Sequence, residues 1–111
     1  MVLHQTVVKK FANDPRVVVI KAFSPEVAHM FEDELFDWVY IDGNHKYDAV
    51  KKDLSAWYKK VKTGGLVAGH DYVIMSYIGV VPALNEFLYE KNLELCYLTV
   101  EQVPSWAFIK K

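Results

Sequence analysis

This sequence has little cysteine, little charge imbalance and no long apolar run. Its 111 residues include one cysteine, Cys96, so no disulfide can form within the chain and we predict a reducing, cytoplasmic location. The formal net charge of −1 gives no reason to expect nucleic acid or an anionic membrane as a partner. No apolar run approaches the roughly 20 residues of a membrane span, and residues 1–15 lack the apolar core of a signal peptide.

Glycine is also scarce. The five glycines stand at positions 43, 64, 65, 69 and 79, and none of them forms a G-x-G pattern of the kind that lets a backbone approach a nucleotide. Hydrophobic residues make up 52% of the chain and charged residues 24%, which is the composition of a globular protein. We predict one domain over residues 1–111.

Alternating strand and helix patterns predict an α/β fold with a mostly parallel sheet. The predicted helices cover residues 2–12, a segment that opens at 24–26, residues 46–61 and residues 82–91. The predicted strands cover residues 16–20, 36–41, 66–69, 93–100 and 106–109, of which the last two could pair antiparallel. At the second helix we expect Ser24 as N-cap and Pro25 as first residue, with Val27, Met30 and Phe31 facing inward.

Polar side chains follow two of these strands. Asp42 ends the apolar run over 36–41, with His45 three residues later, and His70 and Asp71 follow the strand over 66–69. Ligands of such sheets bind at the carboxyl ends of strands. Two carboxylates and two imidazoles could together hold a divalent cation, which would acidify a bound hydroxyl while a histidine takes its proton.

A purely structural interpretation of these residues stays open. Asp42-Gly43 is also good turn sequence, in which an aspartate bonds its own backbone. His45 could simply cap the following helix, and His70 could be a buried histidine with satisfied hydrogen bonds.

Four segments carry a family resemblance. DWVYIDGNHKYDAVKKDL, WYKKVKTGGLVAGHDY, GVVPALNEF and PSWAFIKK resemble the later part of class I S-adenosylmethionine-dependent methyltransferases, in the bacterial group with "IDG-H-Y" and "GG…GHDY" signatures. The resemblance implies a Rossmann-like sheet, mostly parallel, that ends in an antiparallel strand pair and carries helices on both faces. It implies S-adenosylmethionine as cofactor and a small-molecule substrate.

The resemblance also implies roles for individual residues. Phe23, Ser24, Asp42 and Gly43 match positions that approach the cofactor. Asp42, His70 and Asp71 match a site for a divalent cation such as Mg²⁺. The histidine at position 70 departs from the commoner pattern of the family, which has a carboxylate there. His45 is then the candidate catalytic base for methyl transfer to an oxygen.

The family's first two strands and its Gly-rich cofactor loop have no counterpart here. The strand over 36–41 would therefore lack a neighbour, and an apolar free edge is a hazard that proteins usually cover, so we expect a homo-oligomer. Two functions remain open. The chain is a methyltransferase that acts when the missing half of the cofactor site is supplied, or it is a non-catalytic, truncated methyltransferase-like domain that serves as an oligomeric binding or structural module.

Overall fold

A computed structural model describes residues 9–111. Its helices are α1 (Ser24–Ala28), α2 (Tyr47–Tyr58) and α3 (Val80–Lys91), and its strands are β1 (Phe36–Ile41), β2 (Val61–Gly69), β3 (Tyr97–Leu98) and β4 (Trp106–Ile109). No helix in this part of the chain has the length and apolar character needed to cross a membrane.

The strands form one sheet in the order β1-β2-β4-β3. β1 pairs with β2 in parallel, and β4 pairs antiparallel with both β2 and β3. The α/β class and the final antiparallel pair are thus confirmed. Within residues 9–111 the sheet has one parallel pairing and two antiparallel ones, so the prediction of a mostly parallel sheet was wrong for this region. Among the strands of this described region, β1 lies at one edge of the sheet.

The core lies between one face of the sheet and helices α2 and α3. Val39 and Ile41 of β1 face this core, whereas Trp38 and Tyr40 point to the opposite face and are 62% and 47% exposed. Because α1 packs on α2 rather than on the sheet, the predicted helices on both faces are not found in the described residues. The buried core cluster comprises Val50, Leu54, Val61, Val67, Val80, Ala83, Leu84, Phe87, Leu88, Trp106 and Phe108.

The strand predicted over residues 16–20 was wrong. Arg16 lies in a turn, and residues 17–20 have no regular secondary structure and lie outside the sheet. The amide of Val17 bonds the carbonyl of Asp14 in a turn, and β-branched residues form a strand only where a neighbouring strand can pair with them. The predicted opening helix over 2–12 falls mostly outside the described residues, of which 9–11 are helical.

Two expectations for α1 were also wrong. Phe23 is the N-cap and Ser24 is already helical, because the Ser24 hydroxyl accepts a hydrogen bond of 2.8 Å from the Trp57 indole instead of capping. Met30 is exposed because α1 ends at Ala28. Phe31 does pack inward, with its ring 5.1 Å from that of Phe36.

α2 ends at Tyr58, three residues before the end of the helix predicted over 46–61. Val61 opens β2, pairing with Phe36 across the sheet, so Gly64 and Gly65 lie inside a strand. Gly65 fits because an added Cβ would lie 2.6 Å from the Asp37 carbonyl oxygen.

Candidate functional site

The carboxyl ends of β1 and β2 lie side by side. Ile41 pairs with Gly69 as the last residues of the two parallel strands, and the His70 amide donates a bond of 3.3 Å to the Ile41 carbonyl oxygen. Asp42 and His70 therefore leave the sheet at the same end, the carboxyl end of the two strands. This parallel pairing brings together residues that are almost thirty positions apart in the sequence.

Asp42, His70 and Asp71 form a compact cluster at that end of the sheet. The His70 Nδ1 lies 3.3 Å from Asp71 Oδ1 and 3.8 Å from Asp42 Oδ1, and one ligand atom from each residue lies within 4.8 Å of the others. Asp71 has a φ of 64°, an uncommon conformation for a residue with a side chain, which often marks a functional constraint. Two carboxylates and one imidazole in this arrangement can share a divalent cation.

Neighbouring strands hold the cluster in place. The Trp106 indole on β4 donates a bond of 3.1 Å to the His70 carbonyl oxygen. The Tyr72 amide bonds the Pro104 carbonyl oxygen at 3.0 Å. The segment after β2 is therefore tied to β4 and to the loop before it.

His45 lies in the loop between β1 and α2 and lines the same cleft as Asp42, His70 and Asp71. Its carbonyl oxygen accepts a bond of 2.8 Å from the Gly79 amide. Its Nδ1 is buried without a hydrogen-bond partner among the described residues. A buried ring nitrogen with no partner is costly, and the cleft beside it, of about 10 Å³, has room for about one water molecule.

A cavity of about 540 Å³ runs along β1, within the size range of small-molecule sites. Its lining includes Ser24, Asp42 and Gly43, three of the four residues expected near the cofactor. Phe23, the fourth, is exposed and is not among the lining residues. The roles of all four residues stay predictions.

Asp53 is a lining residue that the sequence analysis missed. It is only 4% exposed, and its Oδ1 has no hydrogen-bond partner among the described residues. Burial raises the pKa of Asp53, and a hydrogen bond with the Ser24 side chain opposes this rise. A signal was present, because position 53 lies between Val50, Leu54 and Trp57 on the apolar stripe of α2. A carboxylate on that stripe has to be buried.

Comparisons with known proteins agree with this fold. A family model described as a methyltransferase domain matches residues 3–72, which is more than half of the chain. Among curated proteins no match is found.

Solved structures share the fold at low sequence identity. A provisionally assigned rRNA methylase from Clostridium thermocellum aligns over 97% of this chain and 69% of its own, with 17% identity and a TM-score of 0.71. A protein from Corynebacterium glutamicum aligns over 96% and 54%, with 10% identity and a TM-score of 0.69. A provisionally assigned caffeoyl-CoA O-methyltransferase from Staphylococcus aureus aligns over 95% and 57%, with 16% identity and a TM-score of 0.66. The chain thus spans 54% to 69% of the length of these structures.

Proposed function

Because the chain belongs to the methyltransferase-domain family of the class I S-adenosylmethionine-dependent type, we propose that it serves methyl transfer to a hydroxyl oxygen of a small molecule, assisted by a divalent cation. The observation that carries the proposal is the cluster of Asp42, His70 and Asp71 at the carboxyl ends of two parallel strands. Ligands of open α/β sheets bind at the carboxyl ends of the strands.

The donor set fits a cation such as Mg²⁺ or Mn²⁺. Asp42 and Asp71 supply the oxygen ligands that hard cations prefer, and the His70 imidazole shifts the preference toward a transition metal. A bound cation would lower the pKa of a coordinated hydroxyl. The proposed role of the protein is to hold the three side chains close together. The hydrogen bond from Trp106 to the His70 carbonyl helps to fix the position of His70.

His45 is our candidate for the general base. Its imidazole shares the cleft with the cluster, and its buried Nδ1 has no partner among residues 9–111. Histidine suits proton transfer near neutral pH because its ordinary pKa is about 6.5. The proposed role is to take the proton of the substrate hydroxyl as the oxygen is methylated.

The cavity along β1 is our candidate for part of the cofactor site. Ser24, Asp42 and Gly43 line it, while the sequence contains no G-x-G loop. S-adenosylmethionine would supply an electrophilic methyl group. We propose that these residues hold one side of the cofactor and that the other side comes from a segment outside this chain or from another chain, since positioning both reactants is most of what methyl transfer requires.

Isothermal titration calorimetry of the purified protein tests the two parts separately. Mn²⁺ should bind saturably, and Asp71→Asn should weaken binding about tenfold or more, since losing even an outer-shell partner of a metal ligand costs about 10- to 100-fold in affinity. Asp48→Asn, an exposed carboxylate in the first turn of α2, is the matched control and should leave Mn²⁺ affinity unchanged. Equal affinity in wild type and Asp71→Asn would exclude the cation site.

Titration of S-adenosylmethionine and S-adenosylhomocysteine, with and without Mg²⁺, addresses the cofactor. Saturable heat would support an enzyme whose cofactor site is completed in solution. Absence of heat at millimolar ligand would favour the second function, a non-catalytic methyltransferase-like domain that acts as a binding or structural module. The lack of a G-x-G loop is the observation that favours this alternative.

A further inference from the structure

Within residues 9–111, two segments have exposed apolar side chains and backbone groups that no neighbouring strand pairs on at least one side. The first is β1, which pairs with β2 along one side only and is an edge strand within residues 9–111. Trp38 and Tyr40 of β1 are 62% and 47% exposed on the open face of the sheet. A long apolar edge of this kind is a template for another strand.

The second segment is the β-branched run over residues 16–20. It lies outside the sheet without regular secondary structure, with Val17 and Val19 half-buried and with Val18 and Ile20 79% and 43% exposed. The alternation of half-buried and exposed positions is that of a strand with one covered face. A run rich in valine and isoleucine has high strand propensity once a neighbour is available.

The charges on the two segments are complementary and equally spaced. Arg16 begins the run and Lys21 follows it, and they lie five positions apart. Asp37 and Asp42 lie on and just after β1, also five positions apart. Opposite charges at matching positions of paired strands fix the register and the partner.

We propose that two copies of this chain exchange these segments, so that the run of each copy adds as an antiparallel strand to the β1 edge of the other. In this register Arg16 lies opposite Asp42 and Lys21 opposite Asp37 of the other copy. Each copy would complete the sheet edge beside the other's cation cluster. The observations behind the exchange do not depend on methyl transfer, but the added run would lie along the cavity that borders β1 and would form the side of the proposed cofactor site that comes from another chain.

The antiparallel register is preferred because it matches the faces of the two strands. It sets Val18 and Ile20, the exposed residues of the run, opposite Tyr40 and Trp38 of β1. The half-buried Val17 and Val19 then meet Ile41 and Val39 on the covered face. In the parallel register that satisfies the charges, Val18 would instead meet Val39, and exposed positions would be paired with covered ones.

Existing ion pairs do not oppose the exchange. Arg16 lies 3.0 Å from Asp14, and Asp37 lies 3.1 Å from Lys62. The side chains of Arg16, Asp37 and Lys62 are largely exposed, and exposed pairs are readily replaced. Asp42 has two carboxylate oxygens, so one can meet a guanidinium while the other stays in the cluster with His70 and Asp71.

Sedimentation velocity and light scattering over about 1 to 100 µM protein, a range suited to micromolar dimers, test the proposal. We expect a species of twice the chain mass of 12.8 kDa. Val18→Lys should raise the dimer dissociation constant about tenfold or more, since it places a charge against Tyr40. Val100→Lys, at a fully exposed valine between β3 and β4, is the matched control and should leave the constant unchanged. Circular dichroism melts confirm that both variants fold.

A charge exchange distinguishes this register from any other dimer. Lys21→Asp alone and Asp37→Lys alone should each weaken the dimer severalfold, and the double variant should recover most of the loss. A monomer at every concentration would overturn the proposal and leave the β1 edge to a strand from a different polypeptide. A dimer that is indifferent to Val18→Lys, or one that the double variant does not recover, would overturn it equally.

Discussion

The indole nitrogen of Trp106 donates a hydrogen bond of 3.1 Å to the carbonyl oxygen of His70. Trp106 is 2% exposed, and its ring stacks on that of Phe108 with the centroids 6.1 Å apart. A core residue on β4 thus fixes the backbone of a candidate cation ligand that follows β2. Packing of the core and geometry of the site are coupled through this one bond.

Replacing Trp106 by Phe should therefore weaken both stability and cation binding. The variant keeps an aromatic ring but leaves the His70 carbonyl without its donor, which should cost about 1 to 3 kcal/mol in the free energy of unfolding. Urea unfolding measures this loss, and Mn²⁺ titration should show a severalfold weaker affinity. Phe108→Leu is the control, because it disturbs the same core without touching His70. An equal loss of Mn²⁺ affinity in both variants would mean that the bond has no special role.

The buried carboxylate of Asp53 should make stability depend on pH. Burial raises the pKa of Asp53 above its ordinary value, so the folded state holds this proton more tightly than the unfolded state does. Its contribution to stability is fully present below the unfolded pKa of about 3.8 and is lost as the pH rises through the folded pKa. Ionised Asp53 therefore lowers the free energy of unfolding at neutral pH.

Asp53→Asn removes the buried negative charge while keeping the shape of the side chain. We expect the variant to be more stable than wild type at pH 7, on the order of 1 kcal/mol, and the difference to shrink as the pH falls toward about 4. Urea unfolding across this pH range measures the effect, with the exposed Asp48→Asn as control. A variant that is less stable than wild type at pH 7 would show that ionised Asp53 has a stabilising partner.

Local sequence signals predicted much of the fold. The bounds of β1 and β4 agree with the structure, because both strands are short apolar runs ended by turn or polar residues. The run over 16–20 has an equally strong strand pattern but is unpaired in the described structure. A strand requires a neighbour as well as a propensity, and a residue pattern does not contain the neighbour.

The site was predictable only in part, for a related reason. The rule that polar residues collect at the carboxyl ends of parallel strands predicted the meeting of Asp42 with His70 and Asp71, which their distances confirm. It could not predict that Trp106, on an antiparallel strand, would hold the His70 carbonyl. That contact depends on the register of β2 against β4, and the alternation of each strand excludes slips of one residue but not slips of two.

Gly69 and Gly64 of β2 offer a last test, because each needs to be glycine for a different reason. An added Cβ at Gly69 would lie 2.6 Å from Trp106 Cε2 and 2.7 Å from the Ile41 carbonyl oxygen. Neither the buried ring nor the strand backbone can move away cheaply. Gly64 has a φ of 86° and no atom within 4 Å of such a Cβ, so only its backbone conformation resists a side chain.

Gly69→Ala should lower the free energy of unfolding by about 2 to 3 kcal/mol, the cost of overpacking a filled site, and should also weaken Mn²⁺ binding because it displaces the ring that holds His70. Gly64→Ala should cost about 1 kcal/mol through its left-handed backbone and should leave Mn²⁺ affinity unchanged. Urea unfolding and calorimetry on the same samples separate the two effects. If Gly69→Ala lost stability but bound Mn²⁺ as wild type does, the cation cluster would be independent of the position of Trp106, and the coupling between core and site would be refuted.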